Sequence, residues 1–212
     1  ITALYAHDGD RWVEVFEHLS FGRVPRPDPS GKLVGRELAP KVEPGALGDA
    51  LAKALAPVLA HDPVAMRGVV SLDVHHDADN DPALLAPTLL LAPDPESEWH
   101  GDQDLAGAQL VDGALTAADR RIGTVALPDT PATIAYWIGN FIADLPPRQG
   151  RPGGKVRLRG TFVFEKRDDH WVVVQGHLSQ PIYDNDLASI VFGTLLLSTR
   201  EDLAHGLALE VA

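Results

Sequence analysis

The 212-residue chain contains no cysteine. Without thiols it has no disulfide framework, no thiolate nucleophile and no zinc site of the Cys type, and this absence fits any redox compartment. Basic residues are scarce as well: 18 Lys plus Arg stand against 30 Asp plus Glu, for a formal charge of −12. That balance leaves no electrostatic footprint for nucleic acid or an anionic membrane surface. No apolar run approaches the roughly 20 residues of a membrane helix. No basic segment followed by an apolar one opens the chain. The expectation is a cytoplasmic protein with no nucleic-acid and no membrane partner. A Gly-rich phosphate loop is missing, and so is the Gly-x-Ser-x-Gly of an esterase-type nucleophile elbow. No cofactor is expected.

What is present is ordinary in bulk: 45% hydrophobic and 23% charged residues, as in globular domains rather than disordered, collagen-like or coiled-coil chains. The order of those residues is more informative. Thr2–Ser20 (TALYAHDGDRWVEVFEHLS) aligns without a gap on Thr161–Ser179 (TFVFEKRDDHWVVVQGHLS), at an offset of 159 and with eight identities in nineteen positions. Composition alone predicts about one. Each copy reads as a β-hairpin: an apolar strand, a polar turn (His7–Asp10 or Arg167–His170), then a strand from Trp12 or Trp171 to His-Leu-Ser. Simple alternation would put Trp171, Val173, Gln175, His177 and Ser179 on one face. Trp12 and Trp171 are expected to anchor cores.

Residues 23–44 are Pro- and Gly-rich and read as a semi-rigid linker. Leu47, Leu51, Leu55 and Leu59 recur every four residues, which predicts a helix over 46–60 that Pro57 ends or kinks. A short strand is expected at 69–74, a helix at 83–91, a polar loop holding Trp99 at 93–101, and a helix at 104–115. Ile122–Leu127 reads as a strand. Thr133–Leu145 is rich in Thr, Ile, Tyr, Trp and Phe and reads as another. Helices followed by antiparallel strands make an α+β pattern.

Arg159–Ser179, with its Arg-x-Thr strand, charged turn, Trp-led apolar strand and His-x-Ser ending, resembles the closing hairpin of SnoaL-like domains in the nuclear transport factor two-like superfamily. Thr2–Ser20 carries the same ending. The resemblance implies a cone-shaped α+β half-barrel, with a curved antiparallel sheet packed on N-terminal helices, plus an orphan N-terminal hairpin. The expected layout is 1–22 as the closing hairpin of a first copy, 23–44 as linker, 45–199 as the SnoaL-like domain and 200–212 as a tail. The start at Ile1 fits a tandem protein whose first copy is truncated in this sequence. The resemblance also implies a homodimer or an intramolecular pseudo-dimer.

A cone pocket in such a domain would draw on His177, Ser179, Gln175, Trp171, Tyr136, Trp137, Arg157 and Asp144. A pocket-facing His177 can act as general base or orient a carbonyl. Its recurrence as His18-Leu19-Ser20, while Gln175 becomes Phe16, suggests that the triplet serves the fold. Asp144 is the one carboxylate among the aromatics of its segment, and no Asp or Glu stands out in a strand interior as a buried base. His75-His76-Asp77-Ala78-Asp79 invites a metal reading, but adjacent strand residues point to opposite faces, and no metal is expected. Three readings remain. The first is a module binding a small apolar ligand or protein partner without catalysis. The second is a ketosteroid isomerase- or polyketide cyclase-like enzyme using a pocket acid or base. The third is a dimerisation or assembly module.

Overall fold

A computed structural model describes residues 2–18, 20, 45–70, 89–93, 98–100, 110–125, 132–148 and 152–180. The expected linker 23–44, the His75–Asp79 cluster and everything beyond Gln180 lie outside these residues, and so do parts of the segments expected at 69–74, 83–91 and 104–115.

The leucine stripe forms helix α1 (Ala46–Leu59), which runs through Pro57 before stopping. Leu51, Leu55 and Val58 are fully buried, with Leu47 and Leu59 packed at the margins. Each such side chain removed from water contributes roughly 1.5–3 kcal/mol. A single-turn helix α2 (Pro63–Met66) follows, capped by Asp62, whose carboxylate accepts from the Val64 and Ala65 amides at 3.0 Å each.

The helices pack on a seven-stranded sheet whose strands, in chain order, are β3 (Leu89–Leu91), β4 (Glu98–His100), β5 (Ala114–Ala117), β6 (Arg121–Val125), β7 (Ile134–Leu145), β8 (Gly154–Arg167) and β9 (His170–Ser179), arranged β4-β3-β9-β8-β7-β5 with β6 also on β7. Its centre is three long strands, β7 (Ile134–Leu145), β8 (Gly154–Arg167) and β9 (His170–Ser179), in antiparallel register. Period-2 alternation turns Ala135, Trp137, Phe141 and Ala143 of β7, and Val156, Leu158, Phe162 and Phe164 of β8, into the helix-side core. Gly160 and Gly176 keep that layer close: a Cβ at Gly160 would stand 2.4 Å from the Phe141 ring, and one at Gly176 2.7 Å from Leu90 and Phe162.

Four expectations are corrected. Leu89–Leu91, expected to end a helix, is strand β3, which joins β9 in parallel. Trp99 lies in strand β4 (Glu98–His100), not in a loop. Ala114 and Leu115, expected to close a helix, instead open strand β5 (Ala114–Ala117), which pairs with β7 with Thr116 opposite Ile142. Runs of three or four residues are too short to carry a period, and Leu and Ala favour helix in isolation; pairing with a neighbouring long strand overrides that preference. The fourth concerns faces. Between Val163 and Phe164 the β8/β9 register shifts, so Val174 is an extra residue in β9. Past this bulge the alternation flips. Val173 and Leu178 both reach the core, with Trp171 packed beside it, whereas Gln175, His177 and Ser179 face the opposite side.

The N-terminal repeat is a two-stranded hairpin of its own, β1 (Thr2–Asp8) and β2 (Arg11–His18). It reproduces the β8/β9 hairpin down to its irregularities. The register shifts between Leu4 and Tyr5, as between Val163 and Phe164. The turn begins on a residue with positive φ, Gly9 at 67° and Asp168 at 52°. Strand β6 (Arg121–Val125) completes the described strands.

Candidate functional site

The outer face of β7–β9, away from α1, should be wet, yet Thr161, His177 and Ser179 are only 3%, 4% and 5% exposed there. The cover is the β1/β2 hairpin. His177 Nδ1 is hydrogen-bonded to the Thr2 hydroxyl at 3.0 Å, and its Nε2 to the Ser20 hydroxyl at 2.6 Å. His18 returns the same contacts. Its Nδ1 bonds the Thr161 hydroxyl, and its Nε2 bonds the Ser179 hydroxyl at 2.8 Å. Each imidazole thus spans the Thr and the Ser of the other copy, and the two rings stack with centroids 3.9 Å apart and planes 15° apart. Hydroxyls both donate and accept, so either neutral tautomer of either ring is satisfied. Six side chains, three types taken twice, make a clasp with two-fold character.

Its electrostatics favour neutral rings. Burial first, then the charges of His177 and Arg159, push His18 down to about 3. Burial pushes His177 down to about 4. Beside the clasp the symmetry breaks. Gln175 donates to the Thr2 hydroxyl at 3.3 Å. Its counterpart Phe16 instead lays its ring against Tyr136 at 5.2 Å and 53°. Tyr136 lies across Gly123 of β6, where a Cβ would stand 2.2 Å from the ring.

The eight residues proposed for one pocket therefore divide between the two faces of the sheet. His177, Ser179, Gln175 and Tyr136 contact the hairpin. Arg157 alternates onto that same outer face of β8. Asp144 is exposed near the end of β7. Trp137 and Trp171 belong to the helix side. Trp12, expected to anchor a core like Trp171, is 70% exposed, because the hairpin has no helix layer behind it among the described residues.

On the helix side, Arg120 was missed by the sequence reading. It follows β5 in an irregular corner, where no period marks it. Its guanidinium donates to the Gly48 carbonyl at 3.0 Å, meets Asp49 at 3.4 Å and sits 5.6 Å from the Trp137 ring centre. The Trp137 indole N–H is buried there with no hydrogen-bond partner among the described residues. Among those residues no group of three or more His, Cys, Asp or Glu can hold a metal ion, and no helix is long and apolar enough to cross a membrane.

A comparison with curated proteins returns no match. Among solved structures, a Caulobacter vibrioides protein with a cystatin-like fold is 14% identical, covering 70% of this chain and 96% of its own at a TM-score of 0.47. A nuclear transport factor 2-like superfamily protein from Salmonella enterica is 16% identical, covering 64% and 89% at 0.39. The association domain of C. elegans CaMKII is 12% identical, covering 63% and 92% at 0.41. The pattern of the SnoaL-like domain matches residues 75–183, more than half of the chain and all of its three long strands as far as Ser179, so this protein belongs to the SnoaL-like domain family.

Proposed function

We propose that this chain is a non-catalytic pairing module, in which the β1/β2 hairpin stands in for the closing hairpin of a second SnoaL-like copy and docks on the first as an intramolecular pseudo-dimer. The observation that carries this is the reciprocity of the clasp, His18 on Thr161 and Ser179, His177 on Thr2 and Ser20. It also argues against His177 as a general base. Both its ring nitrogens are engaged, and it lies far below the neutral range in which a base is most effective.

Hydrogen exchange on the full chain tests this. A two-stranded hairpin is at best marginally stable alone in water. Protection of the amides of residues 2–18 therefore reports docking, not the hairpin itself. The pairing reading expects protection in the wild-type chain and its loss in His177→Ala; unprotected wild-type amides would end it.

A second reading, binding of a small ligand inside the cone, has one specific support: the buried, unpartnered Trp137 indole N–H beside the Arg120 guanidinium. That pair suits a largely apolar molecule bearing one hydrogen-bond acceptor. Native mass spectrometry of the purified chain, compared with Trp137→Phe, tests it: a bound mass lost in the variant supports the reading, and the bare chain alone opposes it.

A further inference from the structure

The clasp is made of one set of residues used twice, and that has a consequence for partner choice. Thr161, His177 and Ser179 meet Thr2, His18 and Ser20, the same three types at the same register. A surface complementary to a copy of itself is what a two-fold interface requires. The β8/β9 hairpin of a second molecule therefore offers this face the same four hydrogen bonds as the molecule's own β1/β2. Pairing in trans and docking in cis compete for one site, and the clasp alone cannot tell them apart.

One side chain can. Where β9 carries Gln175, β2 carries Phe16. The Phe16 ring packs on Tyr136 at 5.2 Å, in a tilted arrangement that aromatic pairs favour. Tyr136 is held for this contact by the bare backbone of Gly123 beneath it. In a pair of two β8/β9 hairpins, Gln175 would face Tyr136 in both directions, and the aromatic contact would be missing twice. Resting on the pairing reading above, we propose that the Phe16–Tyr136 contact is the specificity element by which this sheet face selects the chain's own hairpin over a second copy of the chain.

Aromatic pairs of this kind shift an equilibrium by roughly two- to tenfold beyond their area burial. An apparent Kd rises in inverse proportion to the fraction of binding-competent molecules. A dimer needs two open faces, so the effect enters squared. Phe16→Gln, which makes the two hairpins alike at this position, should raise the open fraction by roughly two- to tenfold and lower the apparent dimer Kd by roughly four- to a hundredfold. Phe16→Gln/Gln175→Phe, which exchanges the two side chains, should dimerise more tightly still.

The experiment is sedimentation equilibrium of the 212-residue chain, wild type and both variants, paired with hydrogen exchange over residues 2–18 and 154–179. Support is a tighter dimer in Phe16→Gln and tighter again in the exchange variant, with residues 2–18 losing protection and 154–179 keeping it. A dimer in which residues 2–18 stay protected is a swap of hairpins and overturns the proposal. So does an opened hairpin on a chain that remains monomeric, because the face is then not self-complementary. Unchanged docking in Phe16→Gln overturns the role of Phe16. If Phe16→Gln loses protection in 154–179 as well, the milder Phe16→Leu, which keeps the apolar volume without the aromatic contact, decides the matter by the same criteria. Only an unprotected hairpin in the wild type would count against the pairing reading itself.

Discussion

His18 and His177 stand 159 positions apart in sequence and stack face to face, with ring centroids 3.9 Å apart. Neither ring is in a position to carry a charge at neutral pH. A second positive charge at that separation would be strongly opposed in a partly buried site. The pair is thus a joint between two repeats whose burial favours neutral imidazoles.

The first prediction concerns acid. His18 is pushed down to about 3 and His177 to about 4, from an ordinary value of 6.5 in a freely solvated imidazole. A base whose docked value is depressed takes up its proton more readily when undocked. The undocked state therefore binds more protons between pH 6.5 and about 4, and docking stability rises with pH through that window. Docking is at full strength above 6.5 and is lost as pH falls toward about 4 and then about 3. Hydrogen exchange of residues 2–18 across pH, corrected for intrinsic rates, should show this loss. His18→Ala/His177→Ala should be weaker throughout and lack the slope; a wild type flat from pH 7 to 4 would contradict the neutral-pair account.

The second prediction uses the reciprocity. His18→Ala strands the hydroxyls of Thr161 and Ser179, and His177→Ala strands those of Thr2 and Ser20. Each substitution should weaken docking by about 1–3 kcal/mol. Because each also removes one half of the same stack, the double variant should cost less than the two singles added, with a coupling of about 0.5–3 kcal/mol. A double-mutant cycle read by hydrogen exchange measures it. Strict additivity would mean that the rings act independently.

How far the sequence alone reaches can be read from these same residues. The repeat was legible, because Trp12/Trp171, Val13/Val172 and the His-Leu-Ser triplets are identities at one fixed offset. β7 was legible from its β-branched and aromatic content, and α1 from its leucine period. The faces of β9 were not, since one extra residue at Val174 inverts the alternation and nothing in the residue types announces a bulge. Nor was the clasp. That His177 recurs as His18 suggested a structural duty, but that each ring would bond the other copy's hydroxyls depends on how two hairpin faces meet, which no local pattern encodes. The residues expected to share one pocket lie on both sides of the sheet, because Tyr136 and Trp137 are strand neighbours and the bulge at Val174 parts Trp171 from His177.

The third prediction separates the two tryptophans of the repeat. Trp171 packs beside the helix-side core, whereas Trp12, at the identical position of the first copy, is 70% exposed. Trp171→Ala should cost about 2 kcal/mol of global stability, below the 3–5 kcal/mol of a fully buried aromatic because the ring is only half-buried. Trp12→Ala should cost less than about 1 kcal/mol, in the range of surface substitutions. Urea denaturation of the two variants decides it. Equal costs would show that the hairpin's far face is covered by something in solution.

The last prediction tests how Tyr136 is positioned. A methyl group at Gly123 would stand 2.2 Å from the Tyr136 Cζ and hydroxyl, so the ring must rotate off β6. The Gly123 and Tyr136 backbones pair directly in the β6/β7 register. Moving the ring off β6 disturbs its 5.2 Å contact with Phe16. Gly123→Ala should raise hairpin opening by roughly two- to tenfold, the effect expected of Phe16→Gln, while leaving exchange in β8 and β9 unchanged. The two substitutions act on one contact, so combining them should add little to either alone. Additive opening in the double variant would show that Gly123 works on the hairpin by another route. Unchanged opening in Gly123→Ala would show that Tyr136 reaches Phe16 without the space that glycine leaves.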